Sequence, residues 1–195
     1  MTKRLAVFAS GNGTNAEAIA RYANATGQYE LAVLVCNKPY AGVLKRMYAL
    51  GIPSYLVHAG MINTQWFMKM LRSQSVDAIV LAGFLQLIPL SLIGEYQDKI
   101  VNIHPSLLPD FGGKGMYGDK VHQAVLDSNE KESGITIHQV SEEYDKGRIL
   151  FQAKCPVFPG DTTESLASRI HSLEHQHFPV FLAHWLNGKQ YNPNV

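Results

Sequence analysis

Leu5-Ala6-Val7-Phe8-Ala9-Ser10-Gly11-Asn12-Gly13-Thr14-Asn15 decides how this chain folds. Five apolar residues in a row read as a buried strand. A polar glycine turn follows, then a helical stretch over residues 16–25 with Ile19, Ala20 and Ala23 on one face. Thr14 and Glu17 have the spacing of a capping box at its start. A strand, a glycine turn and a helix start make an anion site. The free N–H groups of the first helical turn point outward, and the helix dipole favours negative charge. The turn lacks the third glycine of the dinucleotide fingerprint and the Gly-Lys-Ser/Thr of the Walker loop. A phosphate monoester is therefore the expected anion.

Working outward, residues 31–36 read as a second strand and 53–57 as a third, with a helix over 43–50 closed by Gly51. Residues 64–74 are helical, with Phe67, Met70 and Leu71 inward. Residues 78–82 are wholly apolar, as in a strand buried on both faces of a parallel sheet. Residues 100–103 form a short strand that Pro105 must end. A helix is expected over 121–126, and residues 135–140 and 150–157 pair as antiparallel strands. Asp161-Thr162-Thr163-Glu164 is a capping pattern for a last long helix. Its core stripe is Leu166, Ile170, Leu173 and Phe181, and Pro179 should kink it. The predicted fold class is α/β: a doubly wound, mostly parallel, Rossmann-like sheet with an antiparallel C-terminal strand pair and a long C-terminal helix. Residues 1–195 are expected to form a single domain.

Composition narrows the function classes. Hydrophobic residues make up 46% and charged residues 17% of the chain, which is globular rather than disordered. The formal charge of +1 and the lack of a basic run give no reason to expect a nucleic-acid partner. No apolar run is long enough to span a bilayer, and Lys3-Arg4 leads into only a short one, so no signal peptide or membrane partner is expected. Two distant cysteines, Cys36 and Cys155, suggest a reducing compartment, and the expected location is cytoplasmic.

In a doubly wound sheet, ligands bind beyond the carboxyl ends of the strands. The glycine turn falls on that edge, and so does Val101-Asn102-Ile103-His104-Pro105-Ser106. The two-residue period of a strand turns Asn102 and His104 the same way. An amide can donate to a developing oxyanion, and an imidazole can move a proton near neutral pH. Leu85, Gln86, Leu87 and Ile88, ending at Pro89, could wall a flat apolar ring or belong to the core. Leu108-Pro109 is a candidate cis bond. Asp145, in the acidic loop Ser141-Glu142-Glu143-Tyr144-Asp145-Lys146-Gly147, could hold His104 and favour its imidazolium form. His171-Ser172-Leu173-Glu174-His175 has the spacing of an inverted zincin site, but no acidic residue follows Glu174 to complete it, and no metal is expected.

Taken together, Ser10-Gly11-Asn12-Gly13-Thr14-Asn15, Ala82-Gly83-Phe84, Asn102-Ile103-His104-Pro105-Ser106-Leu107-Leu108-Pro109 and Asp145-Lys146-Gly147 resemble the folate-dependent formyltransferases. The glycine turn is most similar to the branch that formylates glycinamide ribonucleotide in purine synthesis. The resemblance implies an enzyme with 10-formyltetrahydrofolate as cosubstrate and small molecules as its only substrates, working as a monomer or weak homodimer. It implies a catalytic trio of Asn102, His104 and Asp145. Gly13, Thr14 and Asn15 would hold the ribonucleotide's phosphate and ribose, and His171, Ser172, Leu173 and Glu174 would close over it. Leu85, Gln86, Leu87 and Ile88, Asn102, and Ser141, Glu142, Glu143, Tyr144 and Asp145 would hold the pterin. The chain departs from the family in three places. The loop over residues 111–120 is longer than in many members, Gln86 stands where many have arginine, and Thr64 lies where some carry a folate-side arginine. Three rivals share parts of the pattern: a methionyl-tRNA formyltransferase, a formyltetrahydrofolate hydrolase and a non-catalytic sugar-phosphate binder.

Overall fold

The computed structural model describes residues 1–193. Seven strands form one sheet: β1 (Lys3–Ala9), β2 (Tyr29–Cys36), β3 (Ser54–Leu56), β4 (Ala78–Leu81), β5 (Ile100–His104), β6 (Glu132–Gln139) and β7 (Ile149–Pro156). Their order is β3-β2-β1-β4-β5-β6-β7. From β3 to β5 every pairing is parallel. β6 and β7 join antiparallel. The helices are α1 (Thr14–Thr26), α2 (Gly42–Ala49), α3 (Gln65–Ser73), α4 (Leu90–Glu95), α5 (Asp119–Asp127) and α6 (Thr163–Leu186). This is the doubly wound sheet with an antiparallel end that the sequence predicts.

The alternation of β1 explains the layers. Leu5, Val7 and Ala9 pack into one apolar cluster with residues of α1, α2, α5 and α6. Ala6 and Phe8 point the other way, into a second cluster with Phe67, Leu71 and Leu92 of α3 and α4. Both faces of β1 are closed to water, as a central parallel strand requires. The chain winds from β1 to β2 and β3 on one side and to β4 and β5 on the other. Where the winding reverses, between β1 and β4, the strand ends part and leave a crevice.

Several local expectations need revision. The capping box at the start of α1 does not form. Gly13 is the N-cap, and no side chain bonds there. Glu17 instead holds Arg21 and Arg46, and these charges outbid a backbone amide. Gly13 has φ +81°, and a Cβ there would run into Val43, so only glycine fits this turn. α4 gave no sequence signal, being six residues long with Gly94 inside. The capping box of α6 does form, but Thr162 closes it with Ser165 rather than Glu164. α6 runs unbroken through Pro179. The Leu108–Pro109 peptide is cis. Among the described residues, no helix is long and apolar enough to cross a membrane.

Candidate active site

A cavity of about 590 Å³ opens at the crevice beyond β1, β4 and β5. That is the size of a small-molecule site. The glycine turn forms one end. Gly11, Asn12, Gly13, Thr14 and Asn15 all line it, below the free N–H groups of the first turn of α1. Asn15 Nδ2 donates to Glu174 Oε2 at 2.9 Å, and His171 Nδ1 meets the same oxygen at 2.9 Å. The Glu174 contact raises the pKa of His171 above the ordinary histidine value, against its partial burial.

β5 supplies the centre. Asn102 and His104 both line the cavity, as the strand period requires. His104 is 3% exposed, and its Nε2 lies 2.8 Å from the carbonyl of Phe111. A carbonyl only accepts, so Nε2 carries a proton there. Phe111 has φ +56°, a strained conformation for so bulky a residue. Nδ1 of His104 is then the atom left for chemistry, and Asp145 Oδ2 lies 3.6 Å from it.

Asp145 enters from the loop between β6 and β7, with φ +57°, which aspartate tolerates better than most residues. Its Oδ2 accepts the Gly113 N–H at 2.9 Å, and its Oδ1 lies 3.5 Å from His138 Nε2. Gly147 holds the loop against β6, since a Cβ there would strike the Gln139 carbonyl. Burial raises the Asp145 pKa, but the shift runs the other way, and the charge that His104 can carry and the Gly113 N–H are among the influences that keep the carboxylate below its ordinary value. His104 goes the other way. Burial pushes its imidazole below the ordinary histidine range, and Asp145 and the Phe111 carbonyl only partly offset that. The pull of Asp145 towards the imidazolium is therefore present but outweighed by the cost of burying the charge, and His104 favours the neutral form.

His138 is the member that sequence reasoning missed. It sits on β6 directly across from Asn102. Its Nδ1 lies 2.7 Å from the Gln139 carbonyl and therefore carries the proton. Nε2 is left to accept from Asn102 Nδ2 at 3.0 Å. The second amide hydrogen of Asn102 has only a long 3.4 Å contact to Asp145. It is the one available to an incoming oxyanion. The signal was present in the alternation of Thr136, His138 and Val140, but the register against β5 is invisible in one sequence.

The opposite wall is apolar. Leu85, Gln86, Leu87 and Ile88 all line the cavity. Leu85 and Leu87 are 41% and 45% exposed, too open for core packing and suited to cover a flat ring. Ser10 fixes this wall, donating to Asn37 Oδ1 at 2.6 Å and accepting the Leu85 N–H at 3.0 Å. Ser141, Glu143 and Tyr144 line it as well. Three expected contacts are not brought in. Glu142 is exposed and off the cavity. Ser172 bonds back to the Ser168 carbonyl, and Leu173 packs on the core. Helical spacing explains these two, since only every third or fourth residue of α6 faces the cavity. Met116, Tyr117 and His122, from the long loop and α5, complete the lining.

Known proteins resemble this chain along most of its length. The chain is 42% identical over 181 residues to a chloroplastic phosphoribosylglycinamide formyltransferase of Arabidopsis thaliana, covering 89% of this chain and 62% of that relative. It therefore spans less than two thirds of that protein's length. It is 40% identical to the phosphoribosylglycinamide formyltransferase of Bacillus subtilis, covering 91% of each. A crystal structure of phosphoribosylglycinamide formyltransferase from Bacillus halodurans superposes with a TM-score of 0.84 at 37% identity, over 94% of this chain and 95% of that one. A family profile described as formyl transferase matches residues 3–182, from the first strand almost to the end of α6, and the chain belongs to the formyl transferase family.

Proposed function

We propose that this protein transfers the formyl group of 10-formyltetrahydrofolate to the amine of phosphoribosylglycinamide, in the cytoplasm. Two buried, unpaired thiols fit a reducing compartment. The observation that carries the reading is one cavity bounded by an uncapped helix start, an apolar wall and the Asn102-His104-Asp145 group. The phosphate would lie on the N–H groups after Gly13, and the pterin against Leu85 and Leu87.

The amine attacks the formyl carbon while neutral His104 takes its proton on Nδ1. The new imidazolium is stabilised by Asp145. The oxyanion of the tetrahedral adduct accepts from Asn102 and from Nδ1–H. The bond from carbon to the folate N10 then breaks, and N10 takes the proton from His104. Formylglycinamide ribonucleotide and tetrahydrofolate leave. Asp145 is never protonated. It holds the ring and favours the charge that appears on it, a general acid–base role worth about 10²–10⁴ in rate.

One assay separates the readings. Enzyme and formyl folate are mixed with and without glycinamide ribonucleotide, and folate product is followed. Product only with the ribonucleotide supports the transferase. Product without it points to the hydrolase. No product in either case refutes the proposal and leaves the tRNA enzyme or a bare binder.

A further inference from the structure

His122 lies in the first turn of α5, is 2% exposed and lines the central cavity. Its Nδ1 is shut off from solvent and has no hydrogen-bond partner among the described residues. A buried N–H left unpaired would cost about 1–3 kcal/mol, so Nδ1 is the ring nitrogen without the proton and Nε2 the one that carries it. His171, Glu174, Asp119 and His104 all lie within electrostatic reach of the ring. Burial pushes the imidazole below the ordinary histidine range. His171 adds to that, and Glu174 and Asp119 only partly offset it. The ring is therefore neutral near pH 7, with one donor and one acceptor nitrogen.

We infer that His122 contacts the substrate: its proton sits on Nε2, and Nε2–H donates to the amide oxygen of the glycinamide arm. This rests on the function proposed above. No acceptor reaches Nδ1, so nothing holds the proton there. The glycinamide arm carries a terminal amine, an amide N–H and an amide oxygen. Glu174 and Asn15 Oδ1, which has no partner among the described residues, are acceptors and match the two nitrogens. Asn102 and His104 are committed to the formyl group. The amide oxygen is then the group without a donor, and His122 is the donor without an acceptor.

The test uses the full chain and three substitutions. In His122→Gln the side-chain amide reaches the place of Nε2. In His122→Asn it reaches that of Nδ1. His122→Phe fills the ring's volume with no polar atom. His122→Phe should raise KM for the ribonucleotide about tenfold, the size of one lost hydrogen bond, and leave KM for formyl folate within about twofold. His122→Gln should recover most of that loss and His122→Asn should not. In wild-type protein labelled with ¹⁵N-histidine, saturating ribonucleotide should shift the His122 Nε2 resonance more than Nδ1, a readout independent of whether the variants fold. Unchanged ribonucleotide KM in folded His122→Phe, equal rescue by asparagine, or unmoved His122 resonances would each overturn the inference. Wild-type turnover is measured first, and its absence would instead sink the proposed function.

Discussion

Asp145→Asn is the sharpest probe of the site. The substitution keeps the shape of the side chain and an oxygen for the Gly113 N–H, and it removes one charge. At the 3.6 Å separation from His104 Nδ1, a unit charge pair in an effective dielectric of about 20 attracts by roughly 4–5 kcal/mol. Both side chains are nearly closed to solvent, at 4% and 11% exposure, so salt should screen this little. The attraction exists only while His104 is protonated, which in the proposed mechanism is at the adduct. Its loss should therefore lower kcat about 10³-fold and move KM for either substrate much less. The pH profile supplies a second check. The base must be neutral, so kcat/KM rises as pH climbs through the His104 pKa. In the wild type that midpoint lies below 6.5, because burial outweighs the Asp145 charge. Removing the carboxylate removes an influence that raises the pKa, so the midpoint must fall further. Stopped assays across pH 5–8, with circular dichroism to establish folding, measure both. A folded Asp145→Asn protein within tenfold of wild-type kcat, or with its acid limb moved to higher pH, refutes the reasoning.

His104→Ala should lose at least about a hundredfold in kcat with the fold intact, since general acid–base help is worth about 10²–10⁴. His138→Ala frees the Asn102 amide from its partner and should cost about tenfold in kcat, a smaller loss than either member of the pair, measured in the same assay. Gly13→Ala forces a Cβ into Val43 at a left-handed turn. It should destabilise by about 1–3 kcal/mol, read as a Tm lowered by roughly 2–10 °C, and raise KM for the ribonucleotide. Asp161 is bound by Arg169 and Ser165, and these contacts hold its carboxyl well below the usual carboxylate range. Because its folded pKa is depressed, its stabilisation is present above the unfolded value and lost as pH falls. Asp161→Asn should lower Tm at pH 7, with the difference shrinking steadily in melts below pH 4. A chelator should leave turnover unchanged.

The elements that sequence reveals best are those whose signal is local. Residues 5–9 and 78–82 are continuous apolar runs, and only a central parallel strand buries both faces. Gly13 announced its turn because no other residue fits it. The pairing of Asn102 with His104 followed from strand period alone. What escaped was set by distant contacts. His138 meets Asn102 through an antiparallel register that no single strand records. The charge state of His104 depends on how much protein closes over it, and that is a sum over the fold. Glu17 had the right spacing for a cap, yet Arg46, on another helix, drew it away. Ser172 and Leu173 were included because a segment was read as a unit, and the helix separates its faces.

The bond from Asn15 to Glu174 joins residues 159 positions apart. The glycine turn itself needs α2 beside the first strand and helix, because Val43 packs on Gly13 and Arg46 donates to the Asn12 carbonyl. The sheet can assemble behind it. The pocket nevertheless stays unfinished until α6 arrives to supply its carboxylate. A fragment stopping short of α6 would lack both the Asn15–Glu174 bond and the helix that packs with α1, so the cavity is completed only when a late helix is in place.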